Sequence, residues 1–202
     1  MSEQVTLSFL IGLAVGLSGW ASFVYNYITG NPKIDCKIIN IIVGQMNNPE
    51  LSKKPLTSFM TYLYLVNKRK NTIHILDYEM EAEKKGEFQR LFRVYGTSNM
   101  KNWTFSDANK EKIEIPDLEK KWIYSKESPV QYGVPLHGFV LFAGDDSFFN
   151  PKPERFRITI IDAFKKKHQF IAQSKDFTNL FLFADIAGIK LPTQFSAPIE
   201  KK

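Results

Sequence analysis

The chain has 202 residues, 27 Lys and Arg against 21 Asp and Glu, and a formal charge of +6. A single cysteine, Cys36, excludes an intramolecular disulfide framework, so the fold does not depend on an oxidising compartment. The basic residues are overwhelmingly lysine, a hydrated point charge, whereas phosphate forks and base edges favour arginine; no nucleic-acid partner is expected.

Between Glu3 and Lys33 there is no acidic or basic side chain, and Val5 to Thr29 is mostly apolar. A helix needs about 20 residues to cross the hydrocarbon core of a bilayer, and this segment supplies them. A cleavable signal would want a basic n-region and a shorter apolar core, and neither is present. Residues 1–30 therefore read as a tail and a retained transmembrane helix. Trp20, Tyr25 and Tyr27 cluster where amphipathic rings sit at headgroup level. Gly30, Asn31 and Pro32 end the helix. Ser8, Gly12 and Gly16 recur at four-residue spacing, a small-residue strip on one helical face that permits self-association.

Basic residues flanking a span stay in the cytoplasm. Only Glu3 precedes the segment, whereas Lys33, Lys37, Lys53 and Lys54 follow it. The expected orientation puts the C-terminal part in the cytoplasm, with those four lysines against anionic lipid headgroups.

Residues 31–175 read as strands separated by turn signals. Ile34 to Val43 is rich in isoleucine, and Leu56 to Asn67 is a twelve-residue β-branched and aromatic run. After the Lys68 to Asn71 turn, Thr72 to Glu83 alternates: Leu76, Tyr78, Met80 and Ala82 share one face, Asp77, Glu79, Glu81 and Glu83 the other. Period two marks a half-buried strand. Phe88 to Tyr95 is a further strand. The polar stretch from Thr97 to Ser128 suggests only a short strand at Ile113 to Ile115 and a helical turn capped by Asp117. Leu136 to Phe142 lacks alternation, as expected of a strand buried on both faces. Gly144 to Pro153 is a loop; Arg155 to Phe164 alternates again and turns at Lys165 to Lys167 into His168 to Ala172.

Short strands without strand–helix alternation argue for an antiparallel sandwich. Over about residues 33 to 172 the chain resembles immunoglobulin-like β-sandwich domains, without the Cys…Trp…Cys core of antibody-type domains. The resemblance implies a fold and no activity.

Residues 176–202 read as an amphipathic helix and a tail. Asp176 is placed to cap a helix running to about Ala187, stopped by Gly188. Phe177, Leu180, Phe181 and Ala184 fall on one stripe, with Phe183 beside it, and this surface is expected to pack on the sandwich or to meet a partner.

Motifs for phosphate cradles, nucleophile elbows and zinc pairs are missing from the sequence. His74, His137 and His168 are scattered singly, so no metal or cofactor is expected. Asp162 interrupts the apolar face of its strand; it is expected to bond turn amides, with His168 diagonally across the hairpin. The resulting expectation is a single-pass membrane protein whose sandwich is a non-catalytic interaction or scaffolding module. Its partners would be the lipid bilayer and another membrane or membrane-proximal protein. The rivals are a ligand-binding module and an enzyme assembled from His74, His137, His168 and Asp162.

Overall fold

The computed structural model describes residues 20–21, 33–46, 54–95, 102–106, 112–123 and 129–190. The expected span lies outside the described residues except for Trp20 and Ala21, which are helical. No helix among the described residues is long and apolar enough to cross a membrane.

The protein is mainly β. Seven strands form one antiparallel sheet: β1 (Ile34–Met46), β2 (Leu56–Asn67), β3 (Ile75–Lys84), β4 (Glu87–Val94), β7 (Leu136–Asp145), β8 (Arg155–Asp162) and β9 (Lys167–Gln173). Their order is β1-β2-β7-β4-β3-β8-β9, and the sheet curls into a half-barrel. β5 (Asn102–Ser106) and β6 (Lys112–Pro116) form a separate hairpin in the stretch whose polarity hides a strand pair.

One strand makes the curl. The first half of β4 pairs with β3, from Lys84 opposite Glu87 to Met80 opposite Leu91. Its second half leaves β3 and pairs with β7, placing Phe92 opposite Ala143 and Val94 opposite Leu141. The half-sheets β1-β2-β7 and β3-β8-β9 can then face each other over a common core. From β2 this core receives Phe59, Leu63 and Leu65; from β3, Tyr78 and Met80; from β8, Phe156, Ile158 and Ile160. Phe59 meets Phe148 and Phe156 edge to face, with ring centroids 6.0 and 6.1 Å apart.

The other face of β1-β2-β7 is covered as well. Met60, Tyr62, Phe139 and Leu141 pack against Leu118, Trp122 and the helix Leu180–Ala187. A bulge in β1 between Ile38 and Asn40 brings this helix there. Asn40 Nδ2 donates to the Thr178 carbonyl at 2.8 Å, and the Thr178 amide donates to the Ile39 carbonyl at 2.9 Å. The chain rounds the β1 edge at that clamp, with Phe177 against Phe156 on the inside and Leu180 against the outer cluster.

Three local expectations need correction. A bulge between Ile75 and Asp77 flips the start of β3, so Ile75 is buried while Leu76 and His74 are exposed rather than facing the core with Tyr78. Asp117 precedes the short helix Leu118–Lys121 in a left-handed conformation, φ 51°, and its side chain caps nothing. Asp176 belongs to a 3-10 turn, Ser174–Asp176, and the helix starts later, at Leu180. Gly188, at φ +59°, does end it.

Candidate functional site

The divergence of β3 and β4 beyond Met80 and Leu91 opens a cleft of about 330 Å³, lined by Asp77, Tyr78, Glu79, Arg93 and Tyr95 among others. Arg93 closes its floor. Its side chain is only 7% exposed and its guanidinium lies 2.5 Å from Asp77 Oδ1. The same group stacks over the Tyr78 ring at 5.1 Å and the Tyr95 ring at 4.7 Å. A planar guanidinium suits this double stacking, and an ammonium would not reproduce it. Beneath it the Tyr78 hydroxyl is buried with no hydrogen-bond partner. Burial pushes that phenol above its ordinary range, against the opposing pull of Arg93. Arg90 and Glu79 pair at the rim, 2.8 Å apart. The cleft offers balanced charge and aromatic walls, with an unpartnered hydroxyl buried behind them. Its residues were legible as strands; that β4 would change partners was not.

A second cleft, of about 300 Å³, lies between the helix Leu180–Ala187 and the sheet, with Tyr62, Lys121, His137 and Gly138 on its walls. The Tyr62 hydroxyl and His137 Nδ1 lie 2.7 Å apart. Lys121 donates to the Gly188 carbonyl at 2.8 Å, and desolvation lowers its pKa. Gly138 is obligatory here, because an added Cβ would sit 2.3 Å from the Lys121 carbonyl oxygen.

The scattered histidines and Asp162 do not converge in either cleft. Asp162 is fully buried, and its Oδ1 accepts from the Phe164 and Lys166 amides, each at 2.9 Å. Its Oδ2 lies 3.0 Å from His168 Nε2. This carboxylate fixes the β8–β9 turn, as its position in the apolar face suggested. Among the described residues no group of His, Cys, Asp and Glu could hold a metal ion.

The lysines assigned to one lipid patch do not share a surface. Ile34 pairs with Asn67 at one end of β1, and Met46 pairs with Leu56 at the other. Lys33 and Lys37 lie toward the first end and Lys54 precedes β2 at the second, roughly 40 Å from Lys33 and roughly 30 Å from Lys37 by strand rise. Lys53 lies outside the described residues, as do Ser8, Gly12, Gly16, Tyr25 and Tyr27. Trp20 is exposed.

The expected partner face of the C-terminal helix also changes. Phe183 is 0% exposed, wedged against Tyr62 and Phe139, and so belongs to the core. Phe177 and Leu180 are half-buried against the two core clusters. The side chain of Phe181 lies outside the described residues. Leu182 and Ile186 point outward instead. The missed signal was the start of the helix, which Asp176 misplaced by a turn.

No protein-family model matches the chain, and no curated protein matches it. A solved structure that is similar is ycdA from Bacillus subtilis subsp. subtilis str. 168, described as a "putative lipoprotein". The match covers 76% of this chain and 41% of that one, at 11% identity and a TM-score of 0.42. The chain thus spans about two fifths of the length of that protein.

Proposed function

We propose that the chain is a single-pass membrane protein in which residues 5–29 cross the bilayer and carry a non-catalytic interaction module on the cytoplasmic side. The uncharged apolar stretch and the lysines that follow it support the anchor and its orientation. Strand order supports an immunoglobulin-like sandwich for the module. Lettering β1, β2, β3, β4, β7, β8 and β9 from A to G turns the observed order into A-B-E-D followed by C-F-G. On strands B and F, where antibody domains carry a disulfide, Phe59 and Phe156 meet instead.

The observation that carries the binding role is Arg93, held by Asp77 between two tyrosine rings in the cleft where β4 changes partners. Such a group is ordered before any ligand arrives, which lowers the entropic cost of recognition. The test places a photo-crosslinking residue at Tyr95 in the full-length protein, in its native membrane. One stoichiometric adduct is expected, lost on Arg93→Lys when both proteins are compared well below their melting temperatures. An adduct indifferent to Arg93→Lys would remove the cleft from the recognition surface, and turnover of a substrate by the purified protein would overturn the non-catalytic reading.

A further inference from the structure

We propose that the end of the domain where β1 begins docks on an anionic lipid bilayer, with the Phe164 ring entering the headgroup layer. The inference deepens the single-pass reading, since β1 starts only a few residues beyond the apolar segment and so presents this end to the lipid.

Four segments meet at this rim. The Lys68 amide donates to the Lys33 carbonyl at 3.0 Å, which ties the β2–β3 loop to the start of β1. The Gly133 amide donates to the Asn67 carbonyl at 3.3 Å and adds the loop before β7. The Ala163 amide donates to the His74 carbonyl at 2.8 Å and adds the β8–β9 hairpin. Lysines scattered through the sequence therefore arrive on one surface: Lys33, Lys68, Lys70, Lys165 and Lys166 are all exposed there. Two carboxylates lie among them, and only one of these offsets a lysine of the set. Asp35 is paired with Lys68 at 2.6 Å, and Asp162 is buried beneath the hairpin. At the opposite end Lys84, Lys85 and Lys152 are interspersed with Glu87, Asp145 and Glu154, so no single sign dominates.

Apolar side chains accompany the cations. Phe164 is 84% exposed at the hairpin tip, and Leu76, Tyr132 and Val134 are exposed on the neighbouring segments. An aromatic ring beside three lysines is poorly suited to water and well suited to the boundary between headgroups and acyl chains. Its presentation is rigid, because the Asp162 carboxylate holds the amides on either side of the tip, those of Phe164 and Lys166. The Asp162–His168 pair thereby acquires a use: it keeps the ring and its lysines in place before contact.

The experiment is lysine acetylation footprinting of the full-length protein in nanodiscs, either pure phosphatidylcholine or containing about one third phosphatidylserine. Each basic group near an anionic surface changes partitioning about fivefold, so protection of Lys70, Lys165 and Lys166 is expected to rise by at least that factor in the anionic discs. Lys54, Lys85 and Lys152 serve as far-end references and keep their reactivity. Phe164→Ser combined with Lys165→Glu, both at the exposed tip, is expected to abolish the protection without altering the melting temperature. Equal reactivity at both ends, or protection that ignores lipid charge, would overturn the proposal. Protection that requires an added acidic protein rather than lipid would also overturn it. Alkaline carbonate extraction separates this from the anchor: release of the protein breaks the single-pass reading alone. The footprint, repeated with the released chain on vesicles of the same two compositions, then still decides the docking.

Discussion

β2 is buried on both faces from Leu56 to Leu63, whereas β3 buries Tyr78, Met80 and Ala82 and turns Glu79, Glu81 and Glu83 toward solvent. The two strands belong to facing half-sheets and share one core. They differ in what lies behind them. Behind β2 stand the 115–123 segment and the helix Leu180–Ala187. Behind β3 there is an ion-pair lattice, with Arg157 on Glu81 and Arg155 on Glu83, each at 3.0 Å, and both guanidinium groups over the Phe88 ring. Two kinds of burial thus support one domain, and they differ greatly in what their loss costs. Apolar burial carries the stability, while half-exposed ion pairs contribute little.

The sharpest break is at the shared core. Phe59→Ala removes a ring that touches both Phe148 and Phe156, and about 4 kcal/mol of unfolding free energy is expected to go, read by urea denaturation. Phe183→Ala opens the outer layer behind β2, with an expected loss of about 3 kcal/mol. If the helix is a separable flap, hydrogen exchange in that variant will rise in Leu180–Ala187 and leave β3 and β8 protected. Asp162→Ala strands two turn amides and His168, for about 2 kcal/mol, and Asp162→Asn loses less because Oδ1 survives.

Alkaline pH probes the same contrast more gently. Burial raises the Cys36 thiol, with Asp35 adding to the effect, and burial also raises the Tyr78 phenol. Groups raised in the folded state stabilise it fully below their unfolded values and lose that contribution as pH climbs past them. Stability is therefore expected to fall from about pH 8.5 upward, and Cys36→Ser is expected to flatten the first part of the decline in a pH series of melts. The smallest effect is expected on the wet face. Glu81→Gln costs less than about 1 kcal/mol, well below the change produced by Phe59→Ala.

Pattern within a strand was readable from sequence, and pattern between strands was not. The run without alternation in β7 and the alternation in β3 and β8 announced burial on two faces and on one. Asp162 stood out because it broke such an alternation. What composition cannot carry is a change of partner or a one-residue slip. The β3 bulge moved His74 and Leu76 to the surface, and the β4 crossover created the Arg93 cleft out of residues that individually look like ordinary strand surface. The four lysines after the apolar segment looked adjacent only because a chain position says nothing of which end of a 13-residue strand it reaches. The Lys68 and Lys165 clusters looked unrelated for the same reason.

A strand stitched into both halves of a sheet acts as a shared fastener. Freeing β3 from Glu87–Leu91 loosens the same short strand that holds β7 through Phe92–Val94, so neither half can melt while the other keeps its full complement of ladder bonds. The consequence is all-or-none disassembly, visible in a calorimeter as a single peak whose van't Hoff and calorimetric enthalpies agree.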